Sequence, residues 1–215
     1  MAYLPRVADE QLATRLSRSG AVLIEGAKWC GKTQTALRQA GSVVHVDTDP
    51  NVDALMQIDP TLVVEGPTPR LLDEWQWQPR LWDHVRHAVD DRGQPGQFIL
   101  TGSATPTDDV RRHSGAGRFS VLRMRPMSLW ESGHSGGQVS WQDIRQGKPI
   151  RATASPWPLA SIAATVVRGG WPATIGLDTE DARERSTPLC NTPTAGWQPK
   201  SNSVSAPSRP PQPTC

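Results

Sequence analysis

The stretch that determines the fold covers residues 26–33 and reads Gly-Ala-Lys-Trp-Cys-Gly-Lys-Thr. It fits the pattern G-x-x-x-x-G-K-T, follows the apolar run Ala21–Glu25 and leads into a helical stretch, Lys32–Ala40. Glycines in such a loop let successive backbone amides point inward at phosphate oxygens, and the following helix adds its positive amino-terminal end. We therefore predict a phosphate-binding unit of strand, loop and helix. The alternative is a glycine turn before a helix, without a ligand.

Individual residues of this loop have separate predicted roles. Lys32 would reach the β- and γ-phosphates of a nucleotide, and the hydroxyl of Thr33 would bind Mg²⁺. Cys30 would be either an oxidisable thiol or simply a small loop residue. The residues expected to contact the nucleotide are Gly26, Ala27, Lys28, Trp29, Cys30, Gly31, Lys32 and Thr33.

Short apolar runs alternate with helical stretches along the chain, which is typical of a parallel sheet covered by helices. The predicted strands are Ala21–Glu25, Val43–Val46, Leu71–Asp73, Phe98–Thr101 and Phe119–Met124. The predicted helices are Lys32–Ala40, Asn51–Ile58, Pro79–Asp91, Asp108–His113, Trp141–Gln146 and residues 159–168. The helix that follows Pro79 has the clearest signal, because its apolar residues recur at spacings of three and four.

The second motif is an acidic pair after an apolar strand, in Arg70-Leu71-Leu72-Asp73-Glu74. Asp73 would lie at the carboxyl edge of the sheet, where open α/β folds bind their ligands. There it would hold the metal through a water. Glu74 would orient and deprotonate the attacking water. The alternative is an Asp-Glu pair that caps a helix.

The third motif follows the strand Phe98–Thr101, which ends in small polar residues. Thr101 or Ser103 would hydrogen-bond the γ-phosphate or the attacking water. An equal alternative is that Ser103 or Thr105 caps the helix that follows.

The fourth motif is a basic stretch with five arginines and no acid between Val110 and Trp130. Arg118 follows a glycine-rich loop and is the candidate arginine finger, a cation that stabilises charge on the transferred phosphate. The alternatives for these arginines are a phosphate track for nucleic acid and a solvated basic surface.

The composition restricts the class of protein without naming a function. The chain has 215 residues with 23 Lys+Arg against 21 Asp+Glu, so the net charge gives no sign of a nucleic-acid partner. Its three cysteines fit neither a disulfide framework nor a metal site. No apolar run approaches the roughly 20 residues of a membrane helix, and acids occupy the amino terminus where a signal peptide would be apolar. We expect a cytoplasmic protein without membrane contact.

The carboxyl-terminal thirty residues have a different composition. Residues 186–215 contain seven Pro and nine Ser or Thr, and their only charged residues are Lys200 and Arg209. A segment without apolar periodicity cannot bury enough surface to offset the entropy of ordering it, so we predict that this tail is disordered.

Four segments, in this order, resemble the motifs of the prokaryotic AAA-type ATP-binding proteins. They are Leu23–Thr33, Pro69–Gln76, Leu100–Pro106 and Arg112–Leu129. The resemblance covers the chain from about Tyr3 to Pro172. It implies an α/β P-loop NTPase fold, namely an AAA-like three-layer sandwich with a parallel sheet in the strand order 5-1-4-3-2.

The resemblance also implies roles for single residues. By motif position, Lys32 and Thr33 are the phosphate and Mg²⁺ residues, and Asp73 and Glu74 are the second acidic motif. In the same way Ser103 is the sensor and Arg118 the finger.

The resemblance further implies a division of the chain into an AAA-like core at residues 1–135, the start of a following region at 136–185, and the disordered tail at 186–215. Members of the family continue into a C-terminal domain of well over a hundred residues. Because the resemblance does not continue past Arg185, we expect a truncated member.

The motifs together predict an ATP-binding protein that is a weak Mg²⁺-dependent ATPase with a protein or nucleic-acid partner. A finger supplied by a neighbouring subunit would require a homo-oligomer. ATP is favoured over GTP because the Asn-Lys-x-Asp signal of guanine-specific enzymes is absent from the sequence. The alternatives are a small-molecule phosphotransferase and a nucleotide-binding switch or inert truncated product without turnover.

Overall fold

Five parallel strands form one sheet in the order β2-β3-β4-β1-β5. The computed structural model describes residues 3–102, 115–150 and 157–190, with side chains described up to residue 185. The strands are β1 (Ala21–Gly26), β2 (Ser42–His45), β3 (Arg70–Asp73), β4 (Phe98–Gly102) and β5 (Phe119–Met124). All neighbouring strands are parallel, which confirms the predicted fold class and strand order.

Helices α1 (Val7–Leu16), α2 (Lys32–Leu37), α3 (Val52–Ile58), α4 (Thr61–Val64) and α5 (Leu81–Arg92) cover the two faces of this sheet. Helices α6 (Trp141–Arg145), α7 (Leu159–Arg168) and α8 (Thr179–Cys190) follow β5, and 3₁₀ turns lie at Trp75–Trp77 and Pro172–Thr174. Helices α1, α4 and α8 have no counterpart among the predicted helices, and the predicted helix at residues 108–113 lies outside the described residues. Within the described ranges, no helix combines the length and the apolar character needed to cross a bilayer.

Both faces of the sheet are buried, so its strands are apolar at consecutive positions. Leu23 belongs to the core cluster shared with α3, α4 and α5, whereas its neighbour Val22 belongs to the cluster shared with α1 and α2. The same alternation holds for Leu72 and Leu71 on β3 and for Leu100 and Ile99 on β4. Strands covered on both sides read as continuous apolar runs, and the arrangement gives the three layers expected of this fold.

Helix α1 completes the second of these faces. Its buried residues Ala8, Leu12 and Leu16 recur every four residues and pack in the cluster that contains Val22. This spacing of four is the sequence signal that indicates the helix.

The strand register brings the predicted functional positions to one edge of the sheet. Glu25 on β1 pairs with Gly102 on β4, and Asp73 on β3 pairs with Thr101 on β4. Because parallel strands end at the same edge, the loop after β1 lies beside Asp73 and Thr101.

Residues beyond β5 pack back onto this core. The amide of Met127 donates to the carbonyl oxygen of Gly170 at 2.6 Å, and Trp171 packs against the cluster beneath α1 and α2. Thr174 is fully buried. Helix α8 continues to Cys190, five residues into the segment predicted to be disordered, and residues 191–215 lie outside the described residues.

A buried arginine joins the amino terminus to the loop after β1. The Arg6 Nε atom lies 3.0 Å from Glu131 Oε1, and these two side chains are 5% and 7% exposed. Arg6 Nη1 donates to the carbonyl oxygen of Cys30 and Nη2 to that of Arg125, both at 2.8 Å. One guanidinium therefore connects the start of α1, the loop and the segment after β5.

The carboxylate of Glu131 has a full set of hydrogen-bond donors. Burial alone would raise the pKa of this carboxyl. Hydrogen bonds from the amides of Ser128 and Val7 and from the Arg6 side chain have the larger combined effect, and they hold the pKa below its ordinary value. The two amides donate at 2.8 and 2.9 Å. Both members of the pair are therefore charged, and each is compensated inside the protein.

Removing one member of this pair is expected to be costly. Arg6→Met leaves the Glu131 carboxylate buried without its cation, and we expect the free energy of unfolding to fall by about 3–5 kcal/mol. Adding Glu131→Gln to Arg6→Met should cost less than the sum of the two single changes, because the double variant buries no lone charge. Urea unfolding of the four proteins measures this coupling.

The exposed pair of Lys148 and Asp143, 2.6 Å apart, provides the control. Lys148→Met should leave the free energy of unfolding nearly unchanged, because water screens an exposed pair. Strictly additive effects of the Arg6 and Glu131 changes would contradict the prediction.

Candidate functional site

The loop at residues 26–33 connects the carboxyl end of β1 to α2. Gly31 precedes α2 with a φ of 100°, in a region that favours glycine. A Cβ atom on Gly26 would clash with the carbonyl oxygen of Met124, the last residue of β5. Both glycines of the motif are thus required by the backbone. Trp29 also has a positive φ, of 68°, and its side chain is exposed.

Lys32 is buried, with 5% of its surface exposed. Its ammonium donates to the carbonyl oxygens of Gly26 and Ala27, both at 3.0 Å, and so spans the loop from its end to its beginning. The predicted phosphate-binding cation is therefore held against the loop. Phosphate oxygens would replace these neutral acceptors with charged ones, which form stronger hydrogen bonds with an ammonium.

The buried carboxylate of Asp73 is the meeting point of three elements. Its Oδ1 accepts the hydroxyl of Thr33 on α2 at 2.8 Å and also the hydroxyl of Thr101 on β4. Its Oδ2 lies 3.1 Å from Nδ1 of His45, the last residue of β2. The structure thus brings together Thr33 and Asp73, the two predicted metal residues, and it places Thr101 beside them.

His45 is a site residue that the sequence analysis missed. It pairs directly with Asp73 in the register of β2 and β3. The sequence signal was weak, because His45 lies one residue before the end of the predicted strand Val43–Val46 and nothing in the local pattern distinguishes it from a solvated histidine.

The oxygen atoms around Asp73 suit a magnesium ion. Mg²⁺ prefers hard oxygen ligands and is held in nucleotide sites by one or two protein groups together with phosphates and waters. Thr33 and Asp73 supply a hydroxyl and a carboxylate in direct contact, and these residues fit the ion. Among the described residues, no three His, Cys, Asp or Glu side chains form a metal-binding group of their own.

Glu74 follows β3 in a left-handed backbone conformation, with φ 53° and ψ 43°. Its carboxylate is half-buried, and its Oε2 accepts a hydrogen bond from Nε2 of Gln76 at 2.5 Å. The predicted base therefore lies next to Asp73 in the chain, with one of its two oxygens already engaged.

A cavity of about 400 Å³ adjoins the loop at Gly31. Leu4, Met127 and Pro172 supply apolar walls, and Gln34 on α2 supplies a polar side chain. Because the cavity draws on residues 3–6, 127 and 172–173 as well as the loop, its formation depends on the return of the chain to the core after β5.

Cys30 faces the interior rather than the solvent. Its side chain is fully buried, and burial raises the pKa of its thiol. A thiol that stays protonated and inaccessible is a poor nucleophile, so the structure favours the small loop residue over the oxidisable thiol.

The remaining predicted residues lie elsewhere. Ser103 lies outside the described residues. The carbonyl oxygen of Arg118 accepts the amide of Ala21, which places Arg118 at the amino edge of the sheet, opposite the loop. Its Nε lies 2.5 Å from Oδ1 of Asp90, and this hydrogen bond lowers the pKa of the Asp90 carboxyl. Arg118 therefore does not reach the loop of its own chain.

Comparison with known proteins identifies relatives of this chain. Two uncharacterized proteins, from Mycobacterium bovis and from Mycobacterium tuberculosis, are each 31% identical to the chain over 154 residues. The match covers 69% of this chain and 34% of each relative, so the chain spans about a third of the length of these curated relatives.

A family model described as "AAA domain" matches residues 18–132, a range that contains the loop, Asp73, Glu74 and Arg118. Proteins of this class bind nucleotides through the loop that follows the first strand of the sheet. The matched range is more than half of the chain, and the protein therefore belongs to the AAA domain family.

Proposed function

We propose that this protein binds ATP at residues 26–33 and hydrolyses it in a Mg²⁺-dependent reaction. The observation that carries the proposal is the 2.8 Å hydrogen bond between Thr33 and Asp73, beside the buried ammonium of Lys32. P-loop proteins bind nucleotide phosphates and the accompanying Mg²⁺ with a lysine, a hydroxyl and a carboxylate that lie at one edge of the sheet. Membership of the AAA domain family supports nucleotide binding.

Binding would use the loop and the adjoining cavity. The phosphates would lie against the loop amides, where Lys32 would exchange its two carbonyl acceptors for β- and γ-phosphate oxygens. The adenine would enter the cavity of about 400 Å³, between the apolar side chains of Leu4, Met127 and Pro172. Gln34 would offer the base a hydrogen-bonding partner.

Thr33 and Asp73 would hold Mg²⁺, Asp73 through a water. When bound, the ion supplies positive charge that stabilises the phosphate oxygens. The hydrogen bonds from Thr101 and His45 fix the orientation of the Asp73 carboxylate, so that this residue does not have to reorganise when a nucleotide arrives.

Glu74 would act as the general base of hydrolysis. The water oxygen forms a bond to the γ-phosphorus, and the bond from that phosphorus to the β-γ bridging oxygen breaks. The proton of the water passes to the Glu74 carboxylate, and ADP and phosphate leave. Ser103, which follows β4 in the chain, would contact the γ-phosphate.

The division of roles predicts distinct defects. Lys32→Ala should weaken ATP affinity by roughly a hundredfold, because a charge-assisted contact is lost. Glu74→Gln should retain Mg-ATP binding but reduce turnover by roughly 10²–10⁴. Asp73→Asn should weaken the dependence of turnover on Mg²⁺. Calorimetry with a non-hydrolysable ATP analogue and a phosphate-release assay separate binding from turnover.

Lys148→Ala, which removes an exposed lysine far from the loop in sequence, is the control for Lys32→Ala. Thermal unfolding should show that all variants fold. Equal affinity for the analogue in Lys32→Ala and wild type would remove the proposed binding site. Binding without phosphate release in the wild type would favour a nucleotide-binding switch.

Arg118 would act on the nucleotide of a second copy of the chain, since it lies at the opposite sheet edge from its own loop. Specific activity should then rise with protein concentration, because a finger accelerates phosphoryl transfer by as much as about 10³–10⁵-fold. Arg118→Ala should abolish this rise without weakening ATP binding. Arg123→Ala, which removes an exposed arginine within β5, should leave the rise intact. Activity that is independent of concentration would contradict the finger.

A further inference from the structure

We propose that Gln76 is a positioning residue that holds the Glu74 carboxylate in the orientation needed to accept a proton from the attacking water. The inference rests on the proposed function, because it gives Gln76 a task only if Glu74 acts as a base. It is carried by the contact between the two side chains and by the way in which the surrounding residues fix Gln76.

The contact itself is short and local. Gln76 Nε2 donates to Glu74 Oε2 at 2.5 Å across only two residues of sequence. The backbone closes the same turn, because the amide of Trp77 donates to the carbonyl oxygen of Glu74 at 3.1 Å. Glu74 also has a left-handed backbone, which a non-glycine residue rarely adopts and which is often found at functional sites. The side chain and the backbone thus constrain Glu74 together.

Gln76 is fixed from its other side by the end of β4. A Cβ atom on Gly102 would clash with Gln76 Oε1, so glycine is required for the amide to lie there. The neighbouring residue Trp75 anchors the turn, since it is 1% exposed and its ring centroid lies 5.4 Å from that of Trp82. The amide of Gln76 therefore lies between the Glu74 carboxylate and the end of β4.

The two ends of the Gln76 amide differ in a way that favours a functional role. Its nitrogen donates to the carboxylate, whereas its buried oxygen has no hydrogen-bond partner among the described residues. A glutamine that served only to stabilise the turn would be expected to satisfy both ends, because an unpaired buried acceptor is destabilising.

The consequence for the reaction concerns the two oxygens of Glu74. Gln76 occupies Oε2, and this fixes the rotation of the carboxylate and leaves Oε1 to accept the proton. Without the amide donor the carboxylate would sample other rotamers, and fewer encounters with the water would be productive. The loss should therefore appear in kcat, while the binding of ATP, which uses the loop and Lys32, should be unaffected.

The turn contains a matched control residue. Gln78 lies two residues further along and also donates its amide to a carboxylate, that of Asp53, at 2.6 Å. That contact is exposed and involves α3 rather than Asp73 or Glu74. Gln78→Leu therefore removes an equivalent hydrogen bond from the same segment without touching the proposed base.

The test compares wild type with Gln76→Leu, Gln76→Met, Gln78→Leu and Glu74→Gln, with kcat, KM and melting temperature measured for each. Gln76→Leu should lower kcat by roughly ten- to a hundredfold, the effect expected from loss of a hydrogen bond to a charged group. KM and the affinity for a non-hydrolysable ATP analogue should not change. Gln76→Met, which keeps the length of the side chain but has no donor and no charge, should be equally slow, and Gln78→Leu should match wild type.

Two results would overturn the inference without touching the proposed function. One is a kcat of Gln76→Leu equal to or above wild type, and the other is full activity of Gln76→Met, which would show that the shape of the side chain rather than its donor matters. If wild type releases no phosphate, or if Glu74→Gln is fully active, the proposed function fails and the inference fails with it. If Gln76→Leu has a lowered melting temperature, Gln76→Met, which is closer to glutamine in shape, decides. Independently of activity, nuclear magnetic resonance should show the side-chain amide of Gln76, but not that of Gln78, shifted in Glu74→Gln.

Discussion

The hydrogen bonds of the Asp73 carboxylate are the interactions on which the rest of the site depends. This carboxylate accepts hydroxyls from α2 and β4 and lies beside His45 at the end of β2, so one buried group fixes three elements relative to β3. A buried carboxylate is tolerated only when it is well hydrogen-bonded, and these contacts provide that condition. The same contacts orient the loop through Thr33, and so the geometry around Lys32 depends on Asp73 as well.

Arg6 performs a comparable task on the other side of the loop. It holds the carbonyl oxygen of Cys30 while its charge is balanced by Glu131, which in turn binds the amides of Val7 and Ser128. The loop is therefore supported from the sheet edge by Asp73 and from the amino-terminal segment by Arg6. Arg6 also lines the cavity beside Gly31, so residues distant in sequence contribute to one site.

Local patterns predicted the parallel sheet and the position of the loop and of Asp73, because strand burial and glycine-rich turns are encoded in neighbouring residues. The strand order came from the family resemblance, since no local pattern determines which strands are neighbours. Local patterns did not predict Arg6 and Glu131, which pair across more than a hundred residues, nor His45, which depends on strand register. The contact of Gln76 with Glu74 is local, yet it requires the left-handed backbone at Glu74, and no sequence rule indicates that conformation for glutamate. Helix α1, by contrast, is encoded locally, because its buried residues Ala8, Leu12 and Leu16 recur at a spacing of four.

The strand order has a consequence for how the protein acquires its structure. β1 is hydrogen-bonded only to β4 and β5, which are synthesised long after it, so its apolar edges stay without strand partners while most of the domain is still being made. Pairings between such distant segments must overcome a large loop-closure entropy and form slowly. During that interval an unpaired strand such as Ala21–Ile24 is the segment most prone to aggregate with other chains. We therefore expect low expression temperature to increase the yield of folded protein more for this chain than for a helical protein of the same size. The same holds for chaperones that shield exposed strands.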